Sequence, residues 1–316
     1  MANFFIRILG ASTALLALAM PLQANVIWQS SGFSEQNTFE DRTFVTPTRA
    51  PARNVNISAL PLAISSRAAI VADARTGEVF YGKNSNEIVP IASITKLMTA
   101  MIVLDADQDM NEMLRITDAD IDRLRNSRSR LYVGAELSRA DMMLLMLMSS
   151  ENRAASALAR NYPGGFNAAM AAMNKKARTL GMTNSHFMDS SGLHGENRST
   201  PADLIKMVQA AYNYSQIRTY STMPEYHVVI GNSNTVLTYR NTNQLVSSDS
   251  WDIGISKTGF INEAGRCLVM FAKVTDTPVI IVLMDSPNNS VRTTDANRVR
   301  NWLEVSFTER DYRPGS

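Results

Sequence analysis

Cys267-Leu268-Val269-Met270-Phe271-Ala272-Lys273-Val274 and Val279-Ile280-Ile281-Val282-Leu283-Met284, joined across Asp276-Thr277, decide the fold. Both runs are short, apolar and bounded by turn formers, so they read as adjacent strands. Working backwards, Asp252 to Thr258, Thr235 to Tyr239 and Tyr226 to Ile230 carry the same signature. Near the other end, Ala68 to Ala72 and Glu78 to Tyr81 flank Arg75-Thr76-Gly77, where glycine supplies the positive φ of a hairpin turn. Between these strand groups the period changes. Ser93 to Leu104 places Leu97, Met98, Met101, Ile102 and Leu104 at helical spacing, after a break at Pro90. Arg139 to about Arg160, Phe166 to Leu180, and Pro201 to about Tyr214 follow as helices, the last with proline in its first turn. Met142 to Met148 is wholly apolar but far too short to span a membrane, so it reads as a buried central helix. A helix from about Ala296 to Val305 closes the pattern. The order strands, helices, strands, helix requires a sheet built from both ends of the chain around a helical insert. The expected class is α+β: an antiparallel sheet flanked by helices, with an all-helical subdomain.

Composition bounds the setting. Arg7 precedes an apolar run from Ile8 to Met20, and Leu22-Gln23-Ala24 ends on a small residue, the form of a cleavable secretory signal over residues 1–24. Residues 25–57, rich in Ser, Thr, Asn and Arg, read as a flexible leader. Residues 58–308 read as the folded domain and 309–316 as a polar tail. The formal charge of +2 falls to +1 without residues 1–24, because Arg7 is their only charged residue (30 basic against 29 acidic). No nucleic-acid partner is implied. The single cysteine, Cys267, excludes an internal disulfide. An exported chain of this kind relies on its core, and a periplasm suits it. His186, His194 and His227 lack the spacing and cysteine company of a zinc site, so neither metal nor cofactor is expected. The tail after Ser306 is polar and contains Pro314, so it makes no amphipathic membrane anchor.

Three short motifs carry chemistry. Ser93-Ile94-Thr95-Lys96 sets a hydroxyl and an amine three residues apart on one helical face. A desolvated lysine can serve as base to that hydroxyl, and the helix N-terminus favours a developing oxyanion. Ser150-Glu151-Asn152 ends the apolar helix with an abrupt polar triplet. Lys257-Thr258-Gly259 closes a strand, with a cation for a carboxylate and a glycine that lets a substrate backbone approach. Each motif alone is weak, since a capped helix with a solvated lysine or a polar helix end explains the first two. Arg75-Thr76-Gly77 and Ser286-Pro287-Asn288 match the third and second patterns on paper, but one is a turn and the other lies after the third motif.

Taken in order, Ser-x-x-Lys, Ser-x-Asn and Lys-Thr-Gly are the motif set of penicillin-binding proteins and class A β-lactamases. Pro90 to Leu104, Leu144 to Ala155, Tyr162 to Gly165, Arg240 to Asn243 and Lys257 to Met270 resemble the low-molecular-mass D-alanyl-D-alanine carboxypeptidase and endopeptidase family. The likeness covers about residues 60–306 and implies a β-lactamase/transpeptidase-like fold. It further implies that Ser93 is the nucleophile, Lys96 the base, and Ser150 a proton relay to the leaving amine. Asn152, Lys257, Thr258 and Gly259 would bind substrate, and the backbone N–H groups of Ser93 and Phe260 would form the oxyanion hole. The segment from Ser191 to Asp203 resembles the family's loop beside the site and has a positioning role. The implied substrates are peptidoglycan stem peptides and cross-links, with β-lactams as inhibitors and other wall enzymes as partners.

Within that resemblance an endopeptidase acting on D-alanyl-diaminopimelate cross-links is favoured. A D-alanyl-D-alanine carboxypeptidase and a penicillin-binding sensor without turnover are the alternatives. A class A β-lactamase is disfavoured, because no Glu-x-x-Leu-Asn lies between the second and third motifs. Glu196 is the only acid there that precedes an asparagine.

Overall fold

The computed structural model describes residues 61–230 and 236–311, all within one compact unit. The expectations for residues 1–24, 25–57 and 312–316 lie outside them. The chain enters as β1 (Ala68–Asp73) and β2 (Val79–Lys83), then a two-residue strand β3 (Val89–Pro90). A 3₁₀ turn, Ala92–Ile94, feeds α1 (Thr95–Asp105). Short strands β4 (Met113–Arg115) and β5 (Glu136–Ser138) precede α2 (Arg139–Met148), α3 (Asn152–Arg160) and α4 (Gly165–Thr179). After β6 (Arg198–Ser199) come α5 (Pro201–Ala211) and α6 (Ser215–Thr222). A hairpin, β7 (Glu225–Val229) and β8 (Val236–Arg240), leads to β9 (Asp252–Ile261), β10 (Gly265–Val274), β11 (Thr277–Ser286) and the closing α7 (Asn289–Asp311).

The sheet is antiparallel in the order β2-β1-β11-β10-β9, so the N-terminal hairpin docks on the C-terminal strands, with Ala69 opposite Leu283. Its inner strands β1, β10 and β11 are largely apolar because both of their faces are covered. Ile70, Val269, Phe271, Ile280 and Val282 face the core shared with α1 to α5. Their neighbours Val71, Leu268, Met270, Ile281 and Leu283 face α7, against Val299, Trp302 and Leu303. Period-2 alternation thus sorts one strand's residues into two cores.

Sequence chemistry explains most boundaries. Asp73 Oδ1 accepts from the N–H groups of Arg75 and Thr76, and Gly77 takes φ +74°, closing the first hairpin. Ser138 caps α2 by accepting from Asp141 N, and Thr200 caps α5 ahead of Pro201. The expected helix from Arg139 to Arg160 is two helices. Ser149 folds its hydroxyl back onto the Leu145 carbonyl, Ser150 turns left-handed at φ +63°, and Glu151 caps α3 through Arg153 N. The last helix is longer than Ala296 to Val305 and carries its backbone to Asp311, three residues into the expected tail. Helix α6 shows no apolar period to betray it, since Ile217 is its only buried apolar side chain.

Candidate active site

The first turn of α1 and the strand β9 build the centre. Ala92 sits at φ +47°, unusual for a residue with a Cβ, and Ser93 follows it in the 3₁₀ turn. Three contacts hold this turn. Ile91 N donates to Asn197 O, Thr95 Oγ1 donates to Ala92 O at 2.8 Å, and two glycines press on the backbone. A Cβ on Gly192 would lie 1.8 Å from the Ala92 carbonyl oxygen, and one on Gly259 would lie 3.0 Å from Ser93 N. Gly259 therefore admits the turn that carries Ser93, a use the sequence reading did not foresee.

Lys96 is fully buried, and its Nζ donates to Ser93 Oγ (2.8 Å), Asn152 Oδ1 (2.7 Å) and Ser191 O (2.6 Å). Burial lowers its pKa from 10.5 to about 7, against the opposing pull of Asp189 and Glu151. An amine poised there can take a proton from the serine at neutral pH. The loop that offers Ser191 O is wound around one carboxylate. Asp189 accepts from Ser191 N, Gly192 N and His194 N, and Asn197 ties the loop to Thr95 Oγ1. The positioning role expected for Ser191 to Asp203 thus acquires atoms, while Asp189 and Asn197 were not singled out. Asn152 is held on its other side by donating from Nδ2 to Ser127 Oγ at 2.9 Å.

Ser150 lies at the break between α2 and α3, half-buried. Among the described residues its hydroxyl bonds neither Ser93 nor Lys96. Phe260 is 46% exposed, with the Arg266 guanidinium 3.5 Å above its ring. Thr258 donates to Thr242 Oγ1 at 2.7 Å.

Lys257, on β9, is only 1% exposed, and its Nζ donates to the carbonyl of Thr258. Desolvation, then Lys96 and Arg292, push its pKa well down. Arg292, from the first turns of α7, is also buried, and its Nε has no partner among the described residues. The motif reading missed Arg292 because it stands 35 positions after Lys257, outside any short pattern (292 − 257). Among the described residues no carboxylate stands against this pair, so an anion placed there would be favoured.

A buried amine bonded to a serine hydroxyl at a helix N-terminus, with a cationic strand alongside, defines a serine acyltransferase or peptidase centre on a D,D-peptidase fold. The chain belongs to the D-alanyl-D-alanine carboxypeptidase family of serine peptidases, whose model matches residues 54–288. It is 46% identical over 242 residues to the D-alanyl-D-alanine endopeptidase of Pseudomonas aeruginosa, covering 77% of this chain and 78% of that one. The Escherichia coli D-alanyl-D-alanine endopeptidase is 44% identical over the same shares. Among solved structures, the Streptomyces K15 DD-transpeptidase superposes with TM-score 0.71 at 29% identity, over 78% of this chain and 98% of that chain. The Mycobacterium tuberculosis D-alanyl-D-alanine carboxypeptidase gives 0.70 at 26% identity, over 78% and 93%.

Proposed function

We propose that this chain is a D,D-endopeptidase that hydrolyses D-alanyl-diaminopimelate cross-links of peptidoglycan through an acyl-enzyme on Ser93. The observation that carries it is the 2.8 Å contact from Lys96 Nζ to Ser93 Oγ, made by an amine whose pKa lies near 7. Ser93 Oγ attacks the D-alanyl carbonyl as its proton passes to Lys96. The oxyanion is received by the N–H groups of Ser93 and Phe260. Collapse breaks the C–N bond, and the leaving amine takes a proton relayed by Ser150 before water hydrolyses the ester. Asn152 holds Lys96 and the substrate, and Lys257, with Arg292 beside it, receives the carboxylate next to the scissile amine. Thr258 and Gly259 line that strand. β-Lactams acylate the same serine and, with no counterpart of the β-lactamase glutamate, leave it slowly.

The identity to two endopeptidases favours the cross-link over a terminal D-alanine. Incubation with purified muropeptide dimers and, separately, pentapeptide monomers, read by mass, tests the reading. Conversion of dimer to monomers is expected. Release of D-alanine from pentapeptide alone makes the protein a carboxypeptidase, and stable penicillin labelling with no product makes it a sensor.

We further propose export to the periplasm with cleavage after residue 24. Among the described residues no helix is long and apolar enough to cross a membrane. N-terminal sequencing of the exported protein is expected to begin at Asn25.

A further inference from the structure

A second cleft, of about 680 Å³, opens beside the catalytic groove, between the segment 128–130, the α2–α3 break and β8. Arg128, Arg130 and Arg240 contribute to its walls, and all three are exposed. Arg240 is paired with Glu225 at 2.7 Å. Among the described residues neither Arg128 nor Arg130 meets a carboxylate. Arg130 lies 3.7 Å over the ring of Tyr239 and donates to the Thr238 carbonyl. Tyr239 is itself 1% exposed, with a hydroxyl that has no partner among the described residues and a pKa pushed up to about 12 by burial. It therefore remains a proton donor. The only carboxylate among the residues lining the cleft is Glu151, buried at the cap of α3. Two exposed guanidinium groups without anions, Arg128 and Arg130, call for a carboxylate-bearing guest.

The cleft's place says which guest. Ser149 and Glu151 on its wall flank Ser150, and Arg128 follows Ser127, the acceptor of Asn152. Arg240 stands two residues before Thr242, the acceptor of Thr258. The cleft thus adjoins the groove on the side of the group assigned to protonate the departing amine. We infer that it is the subsite for the leaving stem peptide of a cross-link, binding through Arg128 and Arg130 the carboxylates of that peptide other than the one next to the scissile amine. This rests on the endopeptidase reading and supplies the room and charge that distinguish a second stem from a lone D-alanine.

The test compares the native protein with an Arg128→Ala/Arg130→Ala double variant on three substrates: muropeptide dimer, pentapeptide monomer and labelled penicillin. The expected result is a fall of about 10- to 100-fold in kcat/KM for dimer, carried by KM, with pentapeptide turnover and penicillin acylation within about twofold. The Arg128→Lys/Arg130→Lys variant should recover part of the dimer rate. Rates that fall together on all three substrates, or a dimer rate that does not fall, overturn the subsite. A native protein that releases D-alanine from pentapeptide yet leaves dimer intact overturns the endopeptidase reading and the subsite with it. A dimer-cleaving protein whose double variant is unimpaired overturns the subsite alone.

Discussion

Two lysines lie buried at the heart of this molecule, and their surroundings differ in kind. Lys96 has three acceptors within 2.8 Å and two carboxylates near enough to hold its pKa up against burial. Lys257 has one neighbouring carbonyl and two further cations, Lys96 and Arg292. The first pocket supplies acceptors and nearby carboxylates to its amine. The second has no carboxylate beside it among the described residues. The same residue type thus stands in opposite company within one cleft, and the proposed roles, base for Lys96 and carboxylate receptor for Lys257, rest on that difference.

The comparison can be broken most severely at the serine. Ser93→Ala should abolish covalent labelling by penicillin, and retained labelling would move the nucleophile elsewhere. Lys96→Ala should slow acylation by about a thousandfold, measured by stopped-flow with a chromogenic β-lactam, because it removes the base and leaves the oxyanion donors.

Lys257→Met sharpens the contrast, since activity and stability should part company. We expect kcat/KM for carboxylate-bearing substrates to fall by about 100-fold, while the melting temperature rises by about 2–4 °C as a desolvated amine beside Lys96 and Arg292 is replaced by an apolar chain. A lower melting temperature would mean that Lys257 is already compensated in the empty enzyme.

The pH dependence has a worked sign. An unfolded lysine stays charged up to about pH 10.5, whereas Lys96 in the folded protein loses its proton near 7. Unfolding between those values takes up a proton, so its burial destabilises the fold increasingly as pH falls from 10.5 to 7 and no further below. Acylation should rise along a single limb with its midpoint near pH 7. The smallest effect expected is from Glu151→Gln, which removes one of the two charges that raise Lys96 and should shift that limb to lower pH. A shift to higher pH would contradict the account.

Much of this was legible in the sequence, for physical reasons that can be named. Strands β1, β10 and β11 are largely continuous apolar runs, and Ser93 and Lys96 stand three residues apart at a helix start whatever surrounds them. The polar triplet marked the end of the apolar run, but the left-handed turn at Ser150 that separates two helices was not legible. Ser150 takes φ +63°, and nothing in Met148-Ser149-Ser150-Glu151 forbids a continuous helix. Arg292 escaped because its partner, Cys267 O, belongs to a different element. The purpose of Gly192 and Gly259 is visible only when Ala92 is seen lodged between them.

That lodging has a consequence for how the protein becomes itself. The turn bearing Ser93 is formed early in the chain, yet the pieces that fix it arrive from residue 192 and from β9, and β9 is aligned only when β10 and β11 have closed on β1. These are contacts of long sequence separation, the slow and late kind in folding. Reactivity should therefore appear last, as the final strand pairing locks, and a partly folded chain would carry its serine unarmed.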